Sequence, residues 1–128
     1  MFSHVTVGTN DIARARAFYD PVMASLGLKL VDEGDDYAGY AKGAKELPWF
    51  WVLPTFDGAP ASYGNGTHFA FLAATRAQVD EFHRVALAAG GSDEGAPGPR
   101  PHYTETYYGA YVRDPDGNKL QAVCHDPE

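Results

Sequence analysis

Two kinds of hydrophobic pattern run along the chain. Short stretches of period-two alternation, typical of strands, flank two longer stretches in which apolar residues recur at helical spacing. The first helical stretch carries Phe18 and Val22 on its apolar face. Asn10 predicts its N-cap and Gly27 its end. Pro21 lies inside this stretch, so we expect a kink or an early loosening of the helix there.

The second half of the chain repeats this pattern. Thr75, with Gln78 three residues later, predicts a capping box, and Val79 and Phe82 follow on the buried stripe. Alternation predicts strands at 28–31, 37–41, 49–53, 107–113 and 119–124. The Gly- and Pro-rich segment 92–105 is predicted to be mostly loop.

An internal repeat underlies both halves. Ser3–Val7 aligns with Thr67–Phe71, which places His4 over His68 at an offset of 64 positions. Each copy then reads as strand, helix and three strands. We therefore predict a single domain over 1–128, built from a first module of about 1–57 and a second module of about 66–126.

Composition and charge narrow the classes of partner. The 128 residues carry a net charge of −7, and 13% of them are aromatic. No basic stripe is available for nucleic acid or for an anionic membrane, so neither is expected as a partner. Cys124 is the only cysteine and no signal peptide is visible at the N-terminus, so we expect a cytoplasmic protein. The aromatic excess favours a small-molecule ligand.

Two histidines at equivalent positions of the repeat are the first candidate functional residues. If a pseudo-twofold axis relates the halves, His4 and His68 can converge on it, and paired neutral imidazoles suit a divalent metal. A third ligand could come from the last strand, where Gln121 is the inward residue that has a ligand oxygen. The counterpart of Gln121 in the first half is Trp51, although a one-residue slip stays open.

Four motifs in order carry a family resemblance: His4, Ala17-Phe18-Tyr19, Gly66–Phe71 and Asp114–Leu120. With them the chain resembles the vicinal oxygen chelate superfamily, which includes glyoxalase I, bleomycin-resistance proteins and extradiol dioxygenases. Arg100–Tyr103, Tyr107-Tyr108 and Ala122–His125 resemble a subgroup of small bacterial glyoxalase-like proteins.

The resemblance implies an α+β fold of two tandem βαβββ modules that form a curved mixed sheet around a cleft. It also implies a homodimer, and a divalent metal (Zn, Ni, Mn or Fe) held by His4, His68 and Gln121. No other cofactor is expected. The last-strand ligand is most often Glu in this superfamily, so Gln121 departs from the pattern and brings no charge to the metal.

Two functions follow from the resemblance. The first is a glyoxalase-like small-molecule enzyme, a metal-dependent lyase, isomerase or dioxygenase-like protein whose substrate is unknown. Glyoxalase I activity itself is not expected, because the carboxylate base is missing; Glu33, Glu105 and His102 are only guesses for a base. The alternative is a metal-free small-molecule-binding protein of the bleomycin-resistance type. The candidate ligand-binding residues are Trp51, His102, Tyr103 and Tyr108.

Overall fold

A computed structural model describes all residues from 1 to 128. The first half contains β1 (His4–Gly8), α1 (Ile12–Ser25), β2 (Lys29–Glu33), β3 (Ala38–Ala41) and β4 (Trp49–Leu53). The second half contains β5 (His68–Leu72), α2 (Arg76–Ala88), β6 (Ser92–Pro99), β7 (Tyr108–Arg113) and β8 (Lys119–Cys124). The prediction of two tandem βαβββ modules in an α+β fold is confirmed.

Each module forms its own four-stranded sheet, with the order β1-β4-β3-β2 in the first and β5-β8-β7-β6 in the second. The first strand of a module pairs in parallel with its last strand, and the other pairs are antiparallel. As a result, β1 and β5 are both edge strands.

The core lies between each sheet and its helix. Side chains from the inner faces of both modules are fully buried there, including Phe18, Val22, Phe82, Val112 and Leu120. α1 also packs on α2, and this is the main contact between elements of different modules. The helices therefore join the modules, and each sheet turns its other face away from them.

The ends of α1 differ slightly from the prediction. Asp11, not Asn10, is the N-cap, and its side chain accepts a hydrogen bond from the Arg14 amide. Asn10 instead accepts a hydrogen bond from the amide of Ala61 in the segment between the modules. The helix continues through Pro21 to Ser25, and Gly27 follows it with a φ of +77°, as its C-terminal position requires.

The predicted capping box of α2 is confirmed in part. The Thr75 hydroxyl accepts a hydrogen bond from the Gln78 amide at 3.1 Å. The Gln78 side chain accepts its own bond from the amide of Ala74 rather than from that of Thr75. Neither helix is long and apolar enough to cross a membrane.

Strand β6 corrects the sequence prediction of a loop over 92–105, since Ser92–Pro99 pairs with β7. β6 is an edge strand with a partner on one side only, so prolines within it are tolerated. The pairing register shifts on either side of Gly95. Composition alone indicated a loop because it does not distinguish such an edge strand from an irregular segment.

Candidate functional site

The outer face of the first sheet carries one continuous row of side chains. Thr6 pairs with Trp51, Trp51 with Gly39, and Gly39 with Asp32 across the four strands. Residues paired in register point to the same face of a sheet. Trp51 and Asp32 therefore stand on one surface, with only a glycine between them.

The Trp51 ring lies over Gly39, which has no side chain to displace it. A Cβ atom on Gly39 would come within 2.6 Å of the Trp51 ring. Two other aromatic rings pack around it, with the Tyr37 centroid at 6.1 Å and the Trp49 centroid at 5.1 Å from that of Trp51. The first module thus presents a half-buried aromatic platform.

An open cavity of about 400 Å³ lies over this platform. Its lining residues all belong to the first module: His4, Thr6, Asp32, Tyr37, Trp51 and Leu53. The His4 ring also contacts the Ser3 hydroxyl, with Nδ1 and Oγ 3.0 Å apart. His4 and Trp51 are brought together here as the sequence suggested, and Asp32 and Tyr37 join them although neither was predicted.

The outer face of the second sheet holds the other predicted residues. Gln121 pairs with Ala70 on β5 and with Tyr111 on β7, while His68 pairs with Lys119 on β8. His68 and Gln121 are therefore diagonal neighbours on one face. The His68 ring packs edge-on against Tyr111, with centroids 5.6 Å apart.

A group of tyrosines surrounds Gln121, which is only 1% exposed. The Gln121 Nε2 group donates a hydrogen bond of 2.6 Å to the Tyr107 hydroxyl. The Tyr107 ring packs on Tyr103 with centroids 4.9 Å apart, and Tyr103 packs on His102 at 4.3 Å. Burial, followed by the neighbouring Tyr103 and Tyr107 hydroxyls, raises the pKa of Tyr111.

Tyr108 lies apart from this group. Its partner in α2 is Asp80, whose carboxylate accepts a hydrogen bond of 2.7 Å from the Tyr108 hydroxyl. The Arg76 guanidinium stacks over the Tyr108 ring at 5.0 Å. Tyr108 therefore faces the helix, on the side of the sheet opposite to Gln121. Of the four predicted ligand-binding residues, Trp51 lies on the outer face of the first sheet. His102 and Tyr103 adjoin the outer face of the second sheet, and Tyr108 does not.

The strand registers settle which residues are equivalent. Thr6 and Ala70 are 64 positions apart, and they pair with Trp51 and Gln121 respectively. Trp51 is thus the counterpart of Gln121, as predicted. By the same register, Trp49 in the first module corresponds to Lys119 in the second.

The donor set does not fit a divalent metal within one chain. His4 lines a cavity to which the second module contributes no residue, and no three His, Cys, Asp or Glu side chains are grouped to hold an ion. His68 and Gln121 are both neutral donors. Lys119, the register partner of His68, has its ammonium 5.0 Å from the Tyr111 ring centroid and 4.0 Å from the Glu94 carboxylate, and it offers no metal ligand. The set of His4, His68 and Gln121 stays a prediction that needs His4 to approach from another copy.

The three residues named above as possible catalytic bases lie outside the first-module cavity. Glu33 lies 3.5 Å from the Arg16 guanidinium in an ion pair, and its strand partner is Ala38. His102 and Glu105 lie in the turn between β6 and β7. None of these residues lines the first-module cavity, where Asp32 is the acidic group present.

Comparison with known proteins agrees with this architecture. A sequence model of the glyoxalase/bleomycin resistance protein/dioxygenase superfamily matches residues 1–122. A glyoxalase/bleomycin resistance protein from Albidiferax ferrireducens T118 is 36% identical, with a TM-score of 0.85. That similarity covers 98% of this chain and 99% of the other. No protein with a curated description matches the sequence.

More distant structures share the fold. A family enzyme from Burkholderia phytofirmans PsJN is 22% identical with a TM-score of 0.74, covering 97% of this chain and 98% of that one. A lactoylglutathione lyase from Agrobacterium tumefaciens is 21% identical with a TM-score of 0.64, covering 97% and 92%. The sequence match over residues 1–122, together with the paired βαβββ modules, shows that the chain belongs to the glyoxalase/bleomycin resistance protein/dioxygenase superfamily.

Proposed function

We propose that the protein binds a small organic molecule on the aromatic platform of the first module, without a divalent metal. One observation carries this proposal: the Trp51 ring, held over Gly39, occupies the position equivalent to the predicted metal ligand Gln121. An aromatic surface beside a cavity of about 400 Å³ is typical of a ligand pocket.

The donor chemistry supports binding over metal-assisted turnover. Zn²⁺ and similar ions in catalytic sites are usually held by imidazoles together with a carboxylate or thiolate. The His4, His68 and Gln121 set contains neither. The charged residue paired in register with His68 is Lys119, which cannot serve as a metal ligand and whose ammonium lies 4.0 Å from the Glu94 carboxylate.

We also propose a homodimer that completes the cleft. β1 and β5, two of the four edge strands, each leave one row of backbone groups without a partner in the chain, and such edges are templates for pairing. The apolar side chain of Leu72 on β5 is 76% exposed, and that of Phe2 before β1 is 74% exposed. Pairing two copies through these edges would set the first-module face of one copy beside the second-module face of its partner.

The binding proposal can be tested by ligand-observed NMR with a set of small aromatic fragments. We expect fragments to bind the full chain at millimolar affinity, and Trp51→Ala to abolish their binding. Tyr63→Ala is the matched control, because Tyr63 is an exposed aromatic residue outside this cavity and outside the adjoining one, which Phe56 lines. Binding that survives Trp51→Ala, or that Tyr63→Ala removes equally, would contradict the proposal. Sedimentation of the same samples reports the oligomeric state.

The second candidate is the metal-dependent glyoxalase-like enzyme. It is favoured by the position of His68 and Gln121 as diagonal neighbours on one face. Elemental analysis of tag-free protein, before and after soaking in Ni²⁺, Zn²⁺, Mn²⁺ or Fe²⁺, separates the two functions. Stoichiometric metal that is lost in His68→Ala would favour the enzyme over the metal-free binding protein.

A further inference from the structure

We infer that the first-module cavity takes an organic cation with an aromatic or other apolar body, and that Asp32 is its counter-ion. This inference rests on the proposed binding function and names the ligand class for the same site. A local irregularity in β2 places the Asp32 carboxylate on the same face of the sheet as Trp51.

A β-bulge in β2 sets the direction of Asp32. Lys29 pairs with Ala41 and Leu30 with Tyr40, but the next pair is Asp32 with Gly39, so Val31 is the extra residue. In an unbroken strand, Asp32 would share a face with Leu30. The bulge shifts the alternation by one residue and brings Asp32 to the face of Trp51. Bulges that re-aim a side chain in this way are frequent beside functional sites.

The aromatic rings next to Asp32 supply the rest of a cation site. Tyr37 and Trp51 line the same cavity as Asp32, with their planes inclined at 58°. The faces of such rings attract a cation through their quadrupole, and tryptophan does so most strongly. A carboxylate and two ring faces around one cavity match the charge and the apolar surface of an alkylated ammonium group.

Asp32 has no ion-pair partner within the chain, so its carboxylate is available to a bound cation. No ion pair or hydrogen bond joins the Asp32 carboxylate to another side chain, whereas Glu33 and Asp20 both pair with Arg16. Lys29 lies on the same face in the neighbouring row, exposed and without an ion pair to Asp32. The cavity lining itself contains no Lys or Arg.

Three one-ring probes test the charge preference: benzyltrimethylammonium, benzyl alcohol and benzoate, titrated into the full chain and followed by calorimetry or NMR. We expect the cation to bind roughly tenfold more tightly than the neutral alcohol, and benzoate to bind most weakly. Asp32→Asn should raise the Kd of the cation by about the same factor and leave that of the alcohol unchanged. Added salt should weaken binding of the cation alone.

Asp36→Asn is the matched control, since it removes one charge from the same acidic segment at a residue outside the cavity lining. Equal affinity for cation and alcohol, or equal effects of Asp32→Asn and Asp36→Asn, would overturn the inference. If the alcohol binds in a Trp51-dependent manner without any preference for the cation, the inference fails while the proposed binding function stands. If neither these probes nor the fragment set bind, both fail.

Discussion

Tyr19 in α1 donates a buried hydrogen bond of 2.5 Å to Asp114, which lies in the turn before β8 of the other module. The remaining donors to Asp114 are local: the amides of Asp116 and Asn118 and the side chain of Asn118. A residue of the first module therefore completes the hydrogen bonding of a buried carboxylate in the second. This bond therefore links α1 of the first module to the β7–β8 turn of the second.

Replacing Tyr19 by Phe removes that donor and keeps the ring. Since it leaves the Asp114 carboxylate with one bond fewer, we expect a loss of about 1–3 kcal/mol in the free energy of unfolding at neutral pH. Urea denaturation measures this loss. Tyr63→Phe is the control, because Tyr63 is more than half exposed, and it should cost far less. Equal costs would show that the Tyr19 hydroxyl contributes nothing.

The same pair predicts a fall in stability at alkaline pH. Burial and the nearby Asp114 charge raise the pKa of Tyr19 well above its usual value, so the folded chain keeps the phenolic proton. The unfolded chain loses that proton above about pH 10. This contribution to stability is therefore fully present below pH 10 and is lost as pH rises further. Tyr19→Phe should flatten the decline above pH 10 in a series of urea unfolding curves, and an unchanged slope there would contradict this account.

Asp116 forms a second link between the modules, and its side chain is only 2% exposed. It accepts hydrogen bonds from the Thr9 hydroxyl, the Asn10 amide and the Arg14 guanidinium. We expect Asp116→Ala to lower the free energy of unfolding by about 2 kcal/mol, because the hydroxyl of the buried Thr9 and the amide of the exposed Asn10 both lose their acceptor. Arg14→Gln should cost less than about 1 kcal/mol, since Arg14 is half exposed. Equal losses in urea denaturation would mean that the ion pair alone matters.

Much of this fold could be predicted from the pattern of residues. The alignment of His4 with His68 predicted two equivalent modules. Alternation along β8 placed Gln121 and Leu120 on opposite faces of the sheet. These inferences succeed because strand periodicity and the repeat can be recognised in the sequence without knowing which distant segments are in contact. They also identified Trp51 as the counterpart of Gln121.

The features that could not be predicted depend on contacts between distant segments. The bulge at Val31 breaks the regular alternation of β2, so the sequence pattern does not place Asp32 on the face of Trp51. The repeat shows that the modules are equivalent, but it does not say which surfaces join them. In this structure the modules contact each other through α1 and α2 and through the hydrogen bonds of Asp114 and Asp116. His4 and His68 therefore lie on separate sheets.

Gly39→Ala tests the aromatic platform. The added Cβ would lie 2.6 Å from the Trp51 ring, so the ring must leave its position on the sheet. We expect binding of aromatic fragments to weaken by roughly tenfold, while the unfolding transition stays cooperative. Near-UV circular dichroism reports the Trp51 environment, and NMR reports binding. Gly43→Ala is the control, since its Cβ would meet only the flexible end of Glu46 at 3.3 Å. Unchanged fragment binding in Gly39→Ala would contradict a role for the Trp51 ring in its position over Gly39.

Gln121→Glu tests whether the second face can hold a metal at all. A carboxylate at this position keeps a hydrogen bond, because the Tyr107 hydroxyl can donate to it, and it places a negative ligand diagonal to His68. Calorimetry with Ni²⁺ should therefore show affinity rising by roughly tenfold or more over the wild type. Gln121→Leu, which removes the ligand oxygen, should show no such rise, and adding Lys119→Gln to Gln121→Glu should increase the affinity further, since it removes the positive charge beside His68. If Gln121→Glu gains no affinity, His68 and position 121 do not present donors to a common ion, and the metal-dependent function loses its structural basis.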